Sequence, residues 1–118
     1  MRNLQILVEE KLTERAAQAG RHLLQRVQEF MEFEHVGDVR GLGLMCSFEL
    51  VEDRASRKAY SATSGVGEAL VRRAREQGVL VRVWGSRVGM GPPLCISNED
   101  IDKAVDVIKS IVARVPDV

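Results

Sequence analysis

Gly78-Val79-Leu80-Val81-Arg82-Val83-Trp84-Gly85-Ser86-Arg87-Val88-Gly89-Met90-Gly91-Pro92-Pro93 decides the reading of this 118-residue chain. Gly78 stops a helix, because a residue without Cβ takes the left-handed conformation at low cost. Val79–Trp84 is β-branched and aromatic, so it reads as a strand. Gly85-Ser86 makes a tight turn, and Val88–Gly91 a shorter strand that ends at the double proline. Alternation along the first strand puts Leu80, Arg82 and Trp84 on one face.

Downstream, Ser97 or Asn98 caps a last helix, and Glu99 and Asp100 suit its positive end. Ile101, Val105, Ile108 and Val112 form the buried stripe of that helix, and Pro116 closes it. Upstream, the spacing predicts a helix from Ser64, its N-cap, to Gln77, with Val66, Leu70 and Ala74 inward. Residues 52–63 lack apolar periodicity and read as a surface loop. Val36–Val51 fits two strands with a kink or bulge at Gly41–Gly43. In the second of them Leu44, Cys46, Phe48 and Leu50 face one way, and Met45, Ser47 and Glu49 the other.

The chain opens on an amphipathic pattern: Leu4, Val8, Leu12, Ala16, Ala19, Leu23, Val27 and Phe30 predict one long helix over residues 3–32. Glu9, Glu10, Glu14, Arg15 and Arg26 fall opposite. At about 1.5 Å per residue such a helix outreaches a small domain, so its first half needs another body to cover its stripe. The order is α-β-β-α-β-β-α: an α+β fold with a small, mostly antiparallel sheet packed with helices.

Composition is that of a globular domain, with 45% hydrophobic and 29% charged residues. Seventeen basic residues balance seventeen acidic ones, which argues against nucleic acid or an anionic membrane as the main partner. No apolar run approaches the roughly 20 residues of a membrane span, and Met1-Arg2-Asn3-Leu4 lacks a secretory signal profile. Cys46 and Cys95 lie in apolar stretches and read as buried, reduced thiols of a cytoplasmic protein. His22 and His35 stand alone, without metal-ligand spacing.

Most candidate chemistry falls away. Gly41-Leu42-Gly43 leads into a strand, where a dinucleotide fingerprint would open a helix. Gly65-Val66-Gly67 does open a helix, but two glycines are a weak anion signal. No motif orients Cys46 toward His22 or His35 as a nucleophilic pair. Glu52-Asp53 and Glu99-Asp100 suit a loop and a helix start, and Arg72-Arg73-Ala74-Arg75 a solvated helix face. Arg82 is different. A guanidinium beside an indole on an apolar strand can hold a carboxylate through forked hydrogen bonds, while the plainer alternative is an arginine lying over Trp84 toward solvent.

Three segments in their order carry a family resemblance: Leu4–Gly20; Val39-Arg40-Gly41-Leu42-Gly43-Leu44-Met45 with Phe48-Glu49-Leu50; and Gly78–Arg82 with Pro92-Pro93-Leu94 and Ser97–Asp102. Together they resemble the C-terminal small domain of class III, fold-type-I, pyridoxal-phosphate-dependent aminotransferases, over residues 1–118. The resemblance implies a transaminase that moves an amino group from an amine or ω-amino acid to a keto acid. It also implies a homodimer whose large domain, outside this chain, holds pyridoxal 5′-phosphate on a catalytic lysine. None of Lys11, Lys58, Lys103 and Lys109 fits that lysine, so the chain alone is expected to bind no cofactor and to be inactive. Arg82, ten residues before Pro92, matches a position where some members bind a substrate carboxylate. Members acting on α-amino acids such as ornithine place an arginine three residues before that proline, where this chain has Gly89. The alternative is a stand-alone small-molecule-binding or interaction domain without enzymatic activity.

Overall fold

Apolar spacing sets where the helices lie. A computed structural model describes residues 1–118, and its helices are α1 (Arg2–Glu9), α2 (Leu12–Gln28), α3 (Val66–Glu76) and α4 (Asn98–Val112). The expected single helix over residues 3–32 is in fact three pieces. Lys11 adopts the left-handed conformation, with φ 49°, and separates α1 from α2, which itself ends in a 3₁₀ turn at Glu29–Glu32. For a residue with a Cβ that conformation costs about 1–2 kcal/mol, and no glycine or proline advertises it. The break falls where the core begins. Leu12, Ala19, Leu23 and Val27 of α2 are buried, whereas α1 buries nothing. Leu4 and Val8 remain 58% and 77% exposed, and the whole chain, α1 included, measures 46 × 28 × 24 Å. No helix is long and apolar enough to cross a membrane.

The strands are β1 (Val36–Leu42), β2 (Met45–Asp53), β3 (Lys58–Ala59), β4 (Arg82–Trp84) and β5 (Arg87–Met90), all paired antiparallel. They run in the order β1-β2-β5-β4, with β3 added on β2. The glycines expected to kink the first strand pair instead make a hairpin. Leu42 faces Met45 across Gly43-Leu44, and Gly43 has φ +56°. A positive φ at the first of two central residues matches the twist of flanking strands, which is why glycine stands there. The bulge lies earlier, between Val36 and Asp38.

Residues 52–63 also depart from the loop reading. β2 continues to Asp53, and Val51 pairs with Ala59 of β3. Asp53 holds the intervening turn by accepting the Ser56 amide at 2.9 Å. The Ser56 hydroxyl chiefly, with that amide, keeps its carboxyl below the usual range. Such a turn relies on side-chain bonds to the backbone, which hydrophobic periodicity cannot register.

One face of the sheet carries the core. Val36, Cys46, Phe48, Leu50 and Val88 are buried there against Leu23, Val27, Leu70, Ile101, Val105 and Ile108. Phe30 meets Phe48 edge-on, with centroids 5.2 Å apart and an interplanar angle of 85°. Such an aromatic pair adds about 0.5–1.5 kcal/mol beyond its burial. The expected inward residues of β2 and α4 are all inside. Ser97 caps α4 as expected, its hydroxyl accepting the Asp100 amide at 3.1 Å, worth about 1 kcal/mol. At α3 the N-cap is Gly65, with φ 76°, and the Ser64 hydroxyl accepts only a long bond of 3.4 Å from the Val66 amide.

A charged seam locks α2 to α4. Arg26 donates to Glu29 at 2.7 Å and to Asp102 and Asp106 at 2.6 Å each, and His22 Nε2 lies 2.8 Å from Asp102. Arg26 chiefly, with His22, holds the Asp102 carboxyl below its ordinary range. Arg54 ties the end of the 3₁₀ turn to β1. Its guanidinium donates to the carbonyls of Met31 at 2.8 Å and Val36 at 3.0 Å, and to that of Phe33.

Candidate binding face of the sheet

Helices cover only the core face of the sheet, so alternate residues of every strand point the other way. Strand pairing arranges these outward residues in rows. Arg82 of β4 pairs with Gly89 of β5, Gly89 with Ser47 of β2, and Ser47 with Arg40 of β1. The next row runs Trp84, Arg87, Glu49, Asp38. Neighbouring strands are about 4.8 Å apart, which sets the Arg82 and Arg40 backbones about 14 Å apart across the sheet. Gly89 and Ser47, the small pair between them, are among the residues that line an open concavity of about 700 Å³. Its rim includes Leu42, Met45, Leu80 and Trp84, exposed by 87%, 76%, 75% and 60%.

The regular part of β4 is shorter than expected, Arg82–Trp84 against Val79–Trp84, yet the alternation holds through it. Leu80, Arg82 and Trp84 are outward, and Val79, Val81 and Val83 are half-buried. The return strand is Arg87–Met90, joined by Gly85-Ser86 with φ +61° at Gly85.

The arginines of this face differ in their company. Arg40 donates to Asp38, whose carboxylate pushes that guanidinium further up. Arg82 has neither an acid partner nor a side-chain hydrogen bond within the chain. The six-membered ring of the indole sits over Gly89, where a Cβ would stand 2.4 Å from Trp84 Cζ3. The direct pairing of Arg82 with Gly89 and the seat of the indole were both missed in the sequence reading. The two-residue turn at Gly85-Ser86 carried the signal, since a turn of that length fixes the register.

The other sequence candidates are not brought together. His22 is engaged with Asp102, and His35 Nδ1 donates to the Val51 carbonyl at 2.9 Å beside Tyr60. Neither histidine is paired with Cys46, whose thiol burial pushes up to about 11. Cys95, expected to be buried, is exposed, because its apolar neighbours lie in the turn between the double proline and α4. In the native chain a chromogenic disulfide reagent should therefore titrate one thiol quickly and the second only after unfolding. The Cys95→Ser variant should lose the fast phase, and a persisting fast phase would contradict these burials.

Lys58 is paired with Glu52, and Lys109 with Glu29 at 3.0 Å and Glu32 at 3.1 Å. Lys11 sits at the helix break and Lys103 on the exposed side of α4. The concavity is lined by neither lysine nor carboxylate. These residues do not fit pyridoxal phosphate, which needs an amine for covalent attachment and an acid at its ring nitrogen.

Residues 1–112 match the family model described as aminotransferase class-III. The chain is 36% identical, over 93% of its length, to the adenosylmethionine-8-amino-7-oxononanoate aminotransferase of Anoxybacillus flavithermus, and covers 24% of that protein. Against the diaminobutyrate–2-oxoglutarate transaminase of Halomonas elongata identity is 33%, over 98% of the chain and 25% of the relative. The crystal structure of a thermostable (S)-enantioselective omega-transaminase from Thermomicrobium roseum superimposes with a TM-score of 0.92 and 37% identity, over 98% of this chain and 26% of that one. The omega transaminase from Pseudomonas jessenii, in complex with PMP, gives a TM-score of 0.87 at 37% identity, over 92% of this chain and 24% of that one. The chain thus spans about a quarter of the length of these relatives. With a family model matching nearly end to end, and the same fold in the solved structures, the chain belongs to the class-III aminotransferases.

Proposed function

We propose that this chain is the C-terminal small domain of a pyridoxal-phosphate-dependent aminotransferase, and that Arg82 clamps the carboxylate of its substrate. The enzyme would move an amino group from an amine or ω-amino acid to a keto acid. One observation carries the reading: Arg82 is outward, without an acid partner, and beside an open concavity with an apolar rim. A guanidinium in that setting presents two parallel N–H donors, the geometry a carboxylate accepts. Gly89, directly opposite, offers no second cation, which favours an ω-amino acid or amine over a substrate needing its carboxylate held there.

The rest of the enzyme, a cofactor-bearing large domain assembled as a homodimer, would supply the lysine. The exposed Leu4 and Val8 stripe of α1 supports a neighbour of that kind, since isolated helices of eight residues are marginal in water. Substituting Arg82 in the full-length enzyme tests the clamp. Equal losses for substrates with and without a carboxylate would overturn it. The 118-residue chain alone is expected to give no saturable visible-absorbance change with pyridoxal phosphate and no amino transfer. A tight stoichiometric response would contradict this division of labour.

A further inference from the structure

Gly89 has a function that its neighbours define. It is the cross-strand partner of Arg82, and any side chain there would run into the indole of Trp84, with Cζ3 2.4 Å and Cη2 3.1 Å from the place of a Cβ. The ring therefore occupies space that a larger residue 89 would fill. No other ring stacks on it, and Trp84 stays 60% exposed. A broad aromatic surface is thus held beside a guanidinium that lacks an acid partner, on one concavity. Folding gains little from so exposed an indole. An apolar patch rimmed by charge is the mark of a recognition surface.

We propose that Trp84, seated on Gly89, is a specificity-determining residue, and that it selects substrates whose carboxylate is borne on an apolar segment of several carbons. The segment lies along the indole while the carboxylate reaches Arg82, so the inference rests on the clamp reading above. Each methylene laid against one side of the ring raises binding about twofold, half the effect of full burial. A short substrate spans too little of the ring to gain.

The test compares kcat/KM in the full-length enzyme for ω-amino acids of increasing length and for matching amines without the carboxylate. In the native enzyme kcat/KM should rise with length. In Trp84→Ala the ratio between a six-carbon and a three-carbon substrate should fall about eightfold, a loss built from about twofold for each of three methylenes. Gly89→Ala, which displaces the ring without removing it, should lower the same ratio. A ratio unchanged in both variants, or no rise with length in the native enzyme, overturns the role of Trp84. The preference for carboxylated over uncarboxylated substrates is read separately from Arg82→Leu, and its persistence there overturns the clamp instead. A readout without turnover is available as well. Trp84 is the one tryptophan of the chain, so its indole N–H gives a single nuclear magnetic resonance signal. Hexanoate should shift that signal more than acetate or hexan-1-ol, and equal shifts would count against the proposal.

Discussion

Arg82→Leu in the full-length enzyme is expected to lower kcat/KM for carboxylate-bearing substrates by about 10- to 100-fold relative to carboxylate-free ones. Hydrogen bonds to a charged group contribute about 1.5–3 kcal/mol, and each 1.4 kcal/mol is a factor of ten. The neighbouring cations do not compensate. Arg40 is held by Asp38 and starts three strands away, and Arg87 belongs to the next row. Arg82→Lys keeps the charge but loses the planar fork, so it should fall between the two. Fold stability separates this from general damage. Arg82 is exposed and bonded to nothing within the chain, so Arg82→Leu should move the unfolding free energy by no more than about 0.5 kcal/mol. A similar loss for both substrate classes would mean that Arg82 does not recognise the carboxylate.

The largest stability effect is expected at Gly20, in the middle of α2. An exposed helical glycine changed to alanine would gain about 1 kcal/mol from backbone preference. Here a Cβ would stand 2.1 Å from the carbonyl oxygen of Gly43 and 2.2 Å from its carbonyl carbon. Both atoms belong to the backbone of the β1–β2 turn, which cannot rotate aside as a side chain would. The helix has to lift away, loosening Leu23, Val27 and Phe30 beneath it. Overpacking costs about 1–3 kcal/mol and sometimes more. The clash wins, and Gly20→Ala should lower the unfolding free energy by about 2 kcal/mol net, read as a fall in the urea midpoint with an unchanged slope. A stabilised variant would show that α2 does not touch the turn so closely.

What the sequence disclosed follows from what local patterns encode. Alternation in β2 and the 3.6-residue stripe of α4 report burial directly, so Phe48, Leu50, Ile101 and Ile108 were legible as core. Ser97 was legible because a cap acts within four residues. The break at Lys11 was not, because it depends on where the core begins and not on the residues beside it. The strand at Lys58–Ala59 escaped for a related reason: two residues are too few for a period. Cys95 looked buried from its neighbours, yet only the path of the chain decides exposure. At the candidate face, Arg82 and its outward partners were readable from alternation alone. Its pairing with Gly89 required the register, and the indole over Gly89 required the packing.

The one-sided sheet has a consequence for how such a chain can change over generations. Along β4 and β5, neighbouring residues answer to different demands: Val83 and Val88 to the interior, Arg82, Trp84 and Gly89 to whatever the enzyme must recognise. Mutations that retune recognition therefore leave the scaffold largely untouched, and drift in the scaffold leaves recognition intact. Within that freedom Gly89 and Trp84 are tied, so lineages in which either is replaced should be found to have altered both.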